Sequence, residues 1–308
     1  MGILRKRDWK GAAKVRGLFD KHVAAEAIPL KGTRAWRKIG GLFLIYTALA
    51  AGSLLYILPL VWMFLTSLKP SYQVSSPDWF PDPFEWSNYP RSFTYTGLDF
   101  GKLYLNSFVI TILNVVGTMV SSTLVAYGFA RLRAPGKNLL FIILLTTMMI
   151  PFPVTMVPTF ALFNFLGWLD TLLPVIVPAF FGNAFNIFLL RQFLMTVPIE
   201  FEEAARIDGA NTPQIIFRIM MPLILPAEAA VAVLTFQNTW NDYLTPQIYI
   251  RDQSLYTVAQ GIRFLRGSIN PQWELMMAAA LLAMLPVVIL YLLAQRFFIE
   301  GITLTGIK

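Results

Sequence analysis

The residues best suited to specific chemistry in this chain lie in one polar stretch, Glu203-Ala204-Ala205-Arg206-Ile207-Asp208-Gly209-Ala210. Their types suit docking rather than bond-making. Glu203 and Asp208 offer carboxylates to a partner's arginine, a charge-assisted contact of defined geometry. Ala204 and Ala205 are small enough for close docking. Gly209 supplies a left-handed or tight-turn position. The usual means of catalysis are missing. The chain has no cysteine, and its one histidine, His22, sits in a basic polar stretch. A His- or thiolate-based metal or acid–base centre is therefore excluded for this chain alone. No GxxxxGK[ST] nucleotide loop occurs. The nearest string, Gly97 to Gly101-Lys102, is one residue short and runs into Leu103.

A second polar group reads Gln237-Asn238-Thr239-Trp240-Asn241-Asp242-Tyr243. Amides, a carboxylate and aromatic rings suit sugar hydroxyls and ring faces. At helical spacing Asn238, Asn241 and Asp242 share one face. The same residues equally suit polar glue between helices or Trp and Tyr anchors at a membrane interface.

The elements that hold these groups are apolar. Of 308 residues, 56% are hydrophobic and 14% charged, and the mean hydropathy is +0.59. One globular core of this length cannot hide that excess, so the solvent is a bilayer. Six windows pass the length test for a spanning helix: residues 41–67, 103–130, 138–166, 172–196, 220–243 and 275–298. Lys and Arg fall mostly on one side of them: the N-terminal segment, Arg131, Arg133 and Lys137, then Arg191, Arg206 and Arg218, and the tail. This asymmetry predicts an all-α membrane protein with both termini cytoplasmic, which an even number of spans satisfies. Residues 1–39 form a basic N-terminal segment, 40–300 the transmembrane part and 301–308 a cytoplasmic tail. The basic segment reads as a solvated tail near anionic lipid heads, with an interfacial helix as the alternative. Nucleic acid is not an expected partner, because the membrane rule already demands this charge. Outside, residues 69–102 are rich in proline and aromatics and suit an interfacial belt or a contact surface.

The interiors of the spans hold one acid, Glu228, near the start of the fifth, where snorkelling to the interface is the ordinary expectation. Arg191, Asp242 and Arg296 fall toward window ends. An ion-coupled carrier keeps ionisable groups near the midplane, so energy is expected to enter from another subunit. Proline frees backbone groups that lipid cannot satisfy. Pro151, Pro153 and Pro158 in the third window therefore point to a break lining a pathway, with a packed kink as the bland alternative.

The long loop at 198–219 is the expected point of entry. Pro198 ends the fourth helix, residues 202–207 favour helix, Gly209 turns the chain and Pro213 opens a second short helix. The whole spacing is EAA, three residues, Gly209, nine residues, Ile219, one residue, an apolar residue and Pro222. It resembles the EAA loop of ATP-binding-cassette (ABC) importer permeases and departs only in having Met221 where leucine is usual. With Ser67-Leu68-Lys69, Asn106-Ser107, Trp240-Asn241-Asp242-Tyr243 and the tail residues Gly301, Gly306 and Lys308, the chain from residue 39 on is similar to maltose-type carbohydrate permeases, the shorter of the two paired subunits. That resemblance implies a permease of a prokaryotic plasma membrane and a second permease as heterodimer partner. It also implies two ATPase subunits that bind the ATP and Mg, an extracytoplasmic binding protein and a sugar substrate. It implies coupling through Glu203, Ala204, Ala205, Asp208 and Gly209, and a tail that reaches the ATPases. Permeases for peptides or amino acids share the loop, and a secondary carrier or a membrane scaffold would lack the ATPase.

Overall fold

The computed structural model describes residues 33–95, 97–266 and 271–305, and among them every regular element is helical. Expectations for residues 1–32, Gly306 and Lys308 lie outside the described residues. The chain divides into two units between Val61 and Trp62. Helix α1 (Thr33–Ser67) supplies an apolar run, Gly40–Ser67, of 28 residues. At 1.5 Å per residue that run exceeds the ~30 Å hydrocarbon thickness.

In the second unit, the loop that follows α1 leaves Trp79, Phe80, Phe84 and Trp86 exposed. Asn88 ties the loop down by donating to the carbonyls of Ser67 (3.0 Å) and Lys69 (2.8 Å). Helix α2 (Asn88–Thr94) follows, then α3 (Phe100–Arg131), capped by Asp99 accepting from the Lys102 amide. The third window breaks into α4 (Lys137–Thr147) and α5 (Phe152–Phe165), bent by 99°. Pro151 and Pro153 sit at that bend because neither can donate a helical hydrogen bond. The fourth contains α6 (Leu173–Ile176), a 3-10 turn (Val177–Phe181), a break at Gly182 with φ of 86°, and α7 (Ala184–Thr196).

Helices α8 (Glu200–Ile207) and α9 (Thr212–Ile215) form the long loop. A π-helical turn (Ile216–Met220) and α10 (Met221–Leu223) continue it. An 86° bend then leads into α11 (Leu225–Trp240), so the fifth window is not one straight rod. Helices α12 (Leu244–Tyr249), α13 (Val258–Leu265) and α14 (Trp273–Thr305) complete the chain. Helix α14 runs on to Thr305 and includes Gly301. Four helices are long and apolar enough to cross a membrane among the described residues, six if each bent pair is one span.

Helix α3 is the axis of the second unit. It packs on α7, on α11 and on the 3-10 turn, while α14 packs on α11 and α2. Gly117 permits close packing of the 3-10 turn, since a Cβ there would lie 2.8 Å from the Phe180 ring. One apolar cluster surrounds its C-terminal end at Ala126 and Tyr127, drawing in Leu190, Leu194, Ile215 and Met220. Another surrounds its N-terminal end at Phe100 and Leu103, with Phe163, Tyr249 and Leu275.

Candidate functional site

Three acids in the first turn favour α8 by complementing the positive end of the helix dipole. Its C-terminus closes as a Schellman motif, with the Ala210 amide donating to Ala205 O (2.9 Å) and the Gly209 amide to Arg206 O (3.1 Å). Gly209 takes φ of 85°, the left-handed conformation this motif needs. Asn211 then starts α9 with a reciprocal capping box, its side chain accepting from the Gln214 amide while the Gln214 side chain accepts from its own. The predicted short helix, turn and second helix are all present, although α9 runs into a π-turn rather than a long helix.

Side chains of α8 divide by helical period. Glu203, Ala204 and Asp208 are exposed. Ala205 is buried in the chain's own apolar cluster, so it is not free for a partner as the sequence reading expected. Three residues before it, Glu202 shares that inward face and is 3% exposed. Sequence reasoning missed its role. Its Oε1 lies 2.8 Å from Arg131 Nε at the end of α3, and its Oε2 accepts from the Tyr127 hydroxyl at 3.0 Å. The Arg131 Nη2 also donates to Leu194 O (2.7 Å) and to Val197 O at the end of α7. The Nε approach is an ionic contact rather than an aligned hydrogen bond, because the N–H is off the line to the oxygen.

A polar stripe also escaped the sequence reading. Ser107, Thr111, Asn114, Thr118 and Ser121 recur every three or four residues on the inner face of α3, and that spacing was its signal. Asn114 donates to Val175 O (2.8 Å) and Ser121 to Ala179 O (3.0 Å), while Ser107 accepts from the Val258 amide (2.9 Å). Asn106 donates to the Ser254 and Tyr256 carbonyls at 3.0 Å each. Two cavities open beside this stripe, of about 260 and 380 Å³, and both are lined by Asn114, Pro178 and Thr239.

The second polar group is split. Asn238 lines the larger cavity and Asp242 the smaller. Trp240 is buried instead, donating from its indole N–H to Ala283 O (2.9 Å) and stacking on Phe236. Asn241 is exposed and bonds back to Gln237 O. The expected common face does not exist, because α11 stops at Trp240 and Asp242 instead caps the next turn by accepting from the Thr245 amide. Neither Pro151 nor Pro153 lines either cavity; Phe152 between them does. Glu228 does not snorkel. It is fully buried and accepts from the Thr123 hydroxyl at 2.7 Å, because α11 turns it toward α3. No group of three or more metal-ligating side chains occurs among the described residues.

Known proteins resemble this chain over most of its length. The arabinooligosaccharides transport system permease protein AraQ of Bacillus subtilis (strain 168) is 34% identical over 260 residues, 83% of this chain and 92% of the relative. The sn-glycerol-3-phosphate transport system permease protein UgpE of Yersinia pestis bv. Antiqua (strain Antiqua) is 36% identical over 263 residues, 82% and 93% of the two chains. A solved chain of a bacterial ABC transporter involved in import of the acidic polysaccharide alginate superposes with a TM-score of 0.73 at 26% identity, covering 87% of this chain and 99% of that one. Residues 117–303, from the middle of α3 through the α8–α9 loop to α14, match the binding-protein-dependent transport system inner membrane component, and the chain belongs to that family.

Proposed function

We propose that the chain is the membrane-spanning permease subunit of an ABC importer that takes a sugar or oligosaccharide from an extracytoplasmic binding protein. It has no catalytic site of its own. In this reading both termini and the loop at 198–219 face the cytoplasm of a prokaryotic cell. The chain pairs with a second permease, and two ATPase subunits bind the ATP and Mg. Glu203, Ala204, Asp208 and Gly209 form the contact with an ATPase, and the end of α14 with Gly306 and Lys308 reaches toward it. Asn238 and Asp242 meet the substrate beside the α3 stripe. Neutral hydroxyl and amide groups of this kind exchange bonds with water or sugar hydroxyls at little cost.

The observation that carries the reading is the division of α8: an exposed carboxylate at Glu203 beside exposed Ala204, on a helix fixed from behind. Truncating one side of a partly buried charge contact costs about 2–5 kcal/mol, much of it from stranding the other side. Glu203→Ala is expected to release the ATPase subunit, or abolish ATP-driven uptake in proteoliposomes, without unfolding the membrane part. Gly209→Val strains the turn by roughly 1–2 kcal/mol. Since no heavy atom lies within 4 Å of a Cβ placed at Gly209, that strain is torsional. It is expected to misplace α9 while leaving the charges of α8 in place. If both variants retain the ATPase and transport like the parent, the loop is not the coupling element.

A further inference from the structure

We infer that Arg131, Glu202 and Tyr127 form a buried clamp that makes α8 move as one body with α3 and α7, so that force applied to α8 reaches the cavity wall. This rests on the import reading above and names the positioning residues it requires. The first observation is convergence. One guanidinium, at a residue whose side chain is 10% exposed, meets the Glu202 carboxylate and two backbone carbonyls at the end of α7. Tyr127, one turn earlier on α3, holds the other carboxylate oxygen. Helix α3 is thus joined to α7 and α8, two consecutive elements whose clamp groups lie 63 to 75 residues further along the chain, by two charged side chains and one hydroxyl among the apolar residues of one cluster.

The second observation is where those elements lead. Helix α3 is continuous from Arg131 back to Asn114, and at 1.5 Å per residue the two lie about 25 Å apart along a rod without a break. Asn114 and Thr118 of α3 and Asn186 of α7 line the larger cavity. The helices held by the clamp at one end therefore form the cavity wall at the other. A packed helix with a fixed end passes on displacement, whereas a helix resting on apolar contacts alone can slide in its groove. A third observation concerns the linkers. Residues 197–199 between α7 and α8 make only a short connection, and Val197, the first of them, is itself a clamp acceptor. The fork geometry matters, because a lysine at 131 would keep the charge but could not reach the carboxylate and both carbonyls from fixed directions.

The test uses the complete complex with its ATPase and partner permease, reconstituted in proteoliposomes. Glu202→Gln keeps the size of the side chain and an acceptor for Tyr127, and removes the charge; Arg131→Lys keeps the charge and removes the fork. Each is expected to retain the ATPase subunit, because Glu203 is untouched. Each should hydrolyse ATP within about twofold of the parent while uptake per ATP falls by roughly tenfold, in the range of ordinary coupling energies. Tyr127→Phe is the mild variant and should move the same ratio less, in the same direction. Should Glu202→Gln or Arg131→Lys fail to assemble, the ratio in Tyr127→Phe decides. An unchanged ratio in every variant that assembles, or equal losses of hydrolysis and uptake, overturns the clamp. The parent complex in the same vesicles reports separately on the import reading, which fails if the parent shows no ATP-driven uptake at all.

Discussion

The two ends of α3 are secured by different chemistry. From Asn106 to Asn114, neutral amides and hydroxyls bond to backbone groups at Val175, Ser254, Tyr256 and Val258. At Arg131 a buried guanidinium meets a buried carboxylate and two carbonyls. A neutral hydrogen bond contributes about 1 kcal/mol net, since water can replace either partner. A buried ion pair has no such substitute, because separating it leaves charge in a low-dielectric site. The end with neutral bonds borders the cavities and can be rewetted; the end with the ion pair borders α8 and cannot.

The comparison breaks most directly at the charged end. Arg131→Met retains an apolar stem and strands Glu202. The expected cost is about 3–5 kcal/mol, read as a lower unfolding midpoint of the purified complex. If the midpoint does not change, Glu202 is not held as the structure shows it. At the other end Asn114→Ala leaves Val175 O without its donor. The expected cost there is about 1–3 kcal/mol, and less if cavity water replaces the amide. The same variant should slow uptake more than it lowers the midpoint. Equal losses at both ends would erase the distinction.

The sequence carried this contrast unevenly. The long apolar helices were legible because an apolar window is an additive signal that needs no knowledge of neighbours. The α8–turn–α9 segment was legible because Gly209 and Pro213 act on their own backbone, as the Schellman closure shows; the Asn211 capping box was not read from the sequence. The stripe on α3 was present as a spacing of three and four, yet in a helix of this kind small polar residues also serve ordinary packing. The clamp was not legible. Arg131 looked like one more topology-setting cation, and Glu202 like the first residue of a helix-favouring run. Which of two adjacent acids turns inward depends on where α3 and α7 end, and no local pattern contains that. The second polar group failed for a related reason. Its predicted face assumed helix through Asp242, whereas α11 stops at Trp240, whose indole is packed against α14 and donates to Ala283 O.

Glu228 tests the comparison where the effect should be smallest. It lies between the two ends, on α11 against α3, with one oxygen accepting from Thr123 and the other without a hydrogen-bond partner. Among the described residues no cation pairs with it, in contrast to Glu202. A buried acid held by one neutral hydrogen bond is exchangeable for its amide. Glutamine has nearly the same volume, offers an oxygen to the Thr123 hydroxyl and strands no charged partner. Glu228→Gln is therefore expected to change stability by less than about 1 kcal/mol and to leave ATP-driven uptake near that of the parent. The same substitution at Glu202 should uncouple uptake from hydrolysis. One variant leaves a cation behind and the other does not, so the pair separates loss of the ion pair from loss of a buried acid as such. A large loss of uptake in Glu228→Gln, with the ATPase still bound and hydrolysing, would mean that a span interior carries an acid the transport cycle needs. Energy would then enter through more than the α8 contact, and the contrast between the two ends of α3 would no longer describe how this chain is driven.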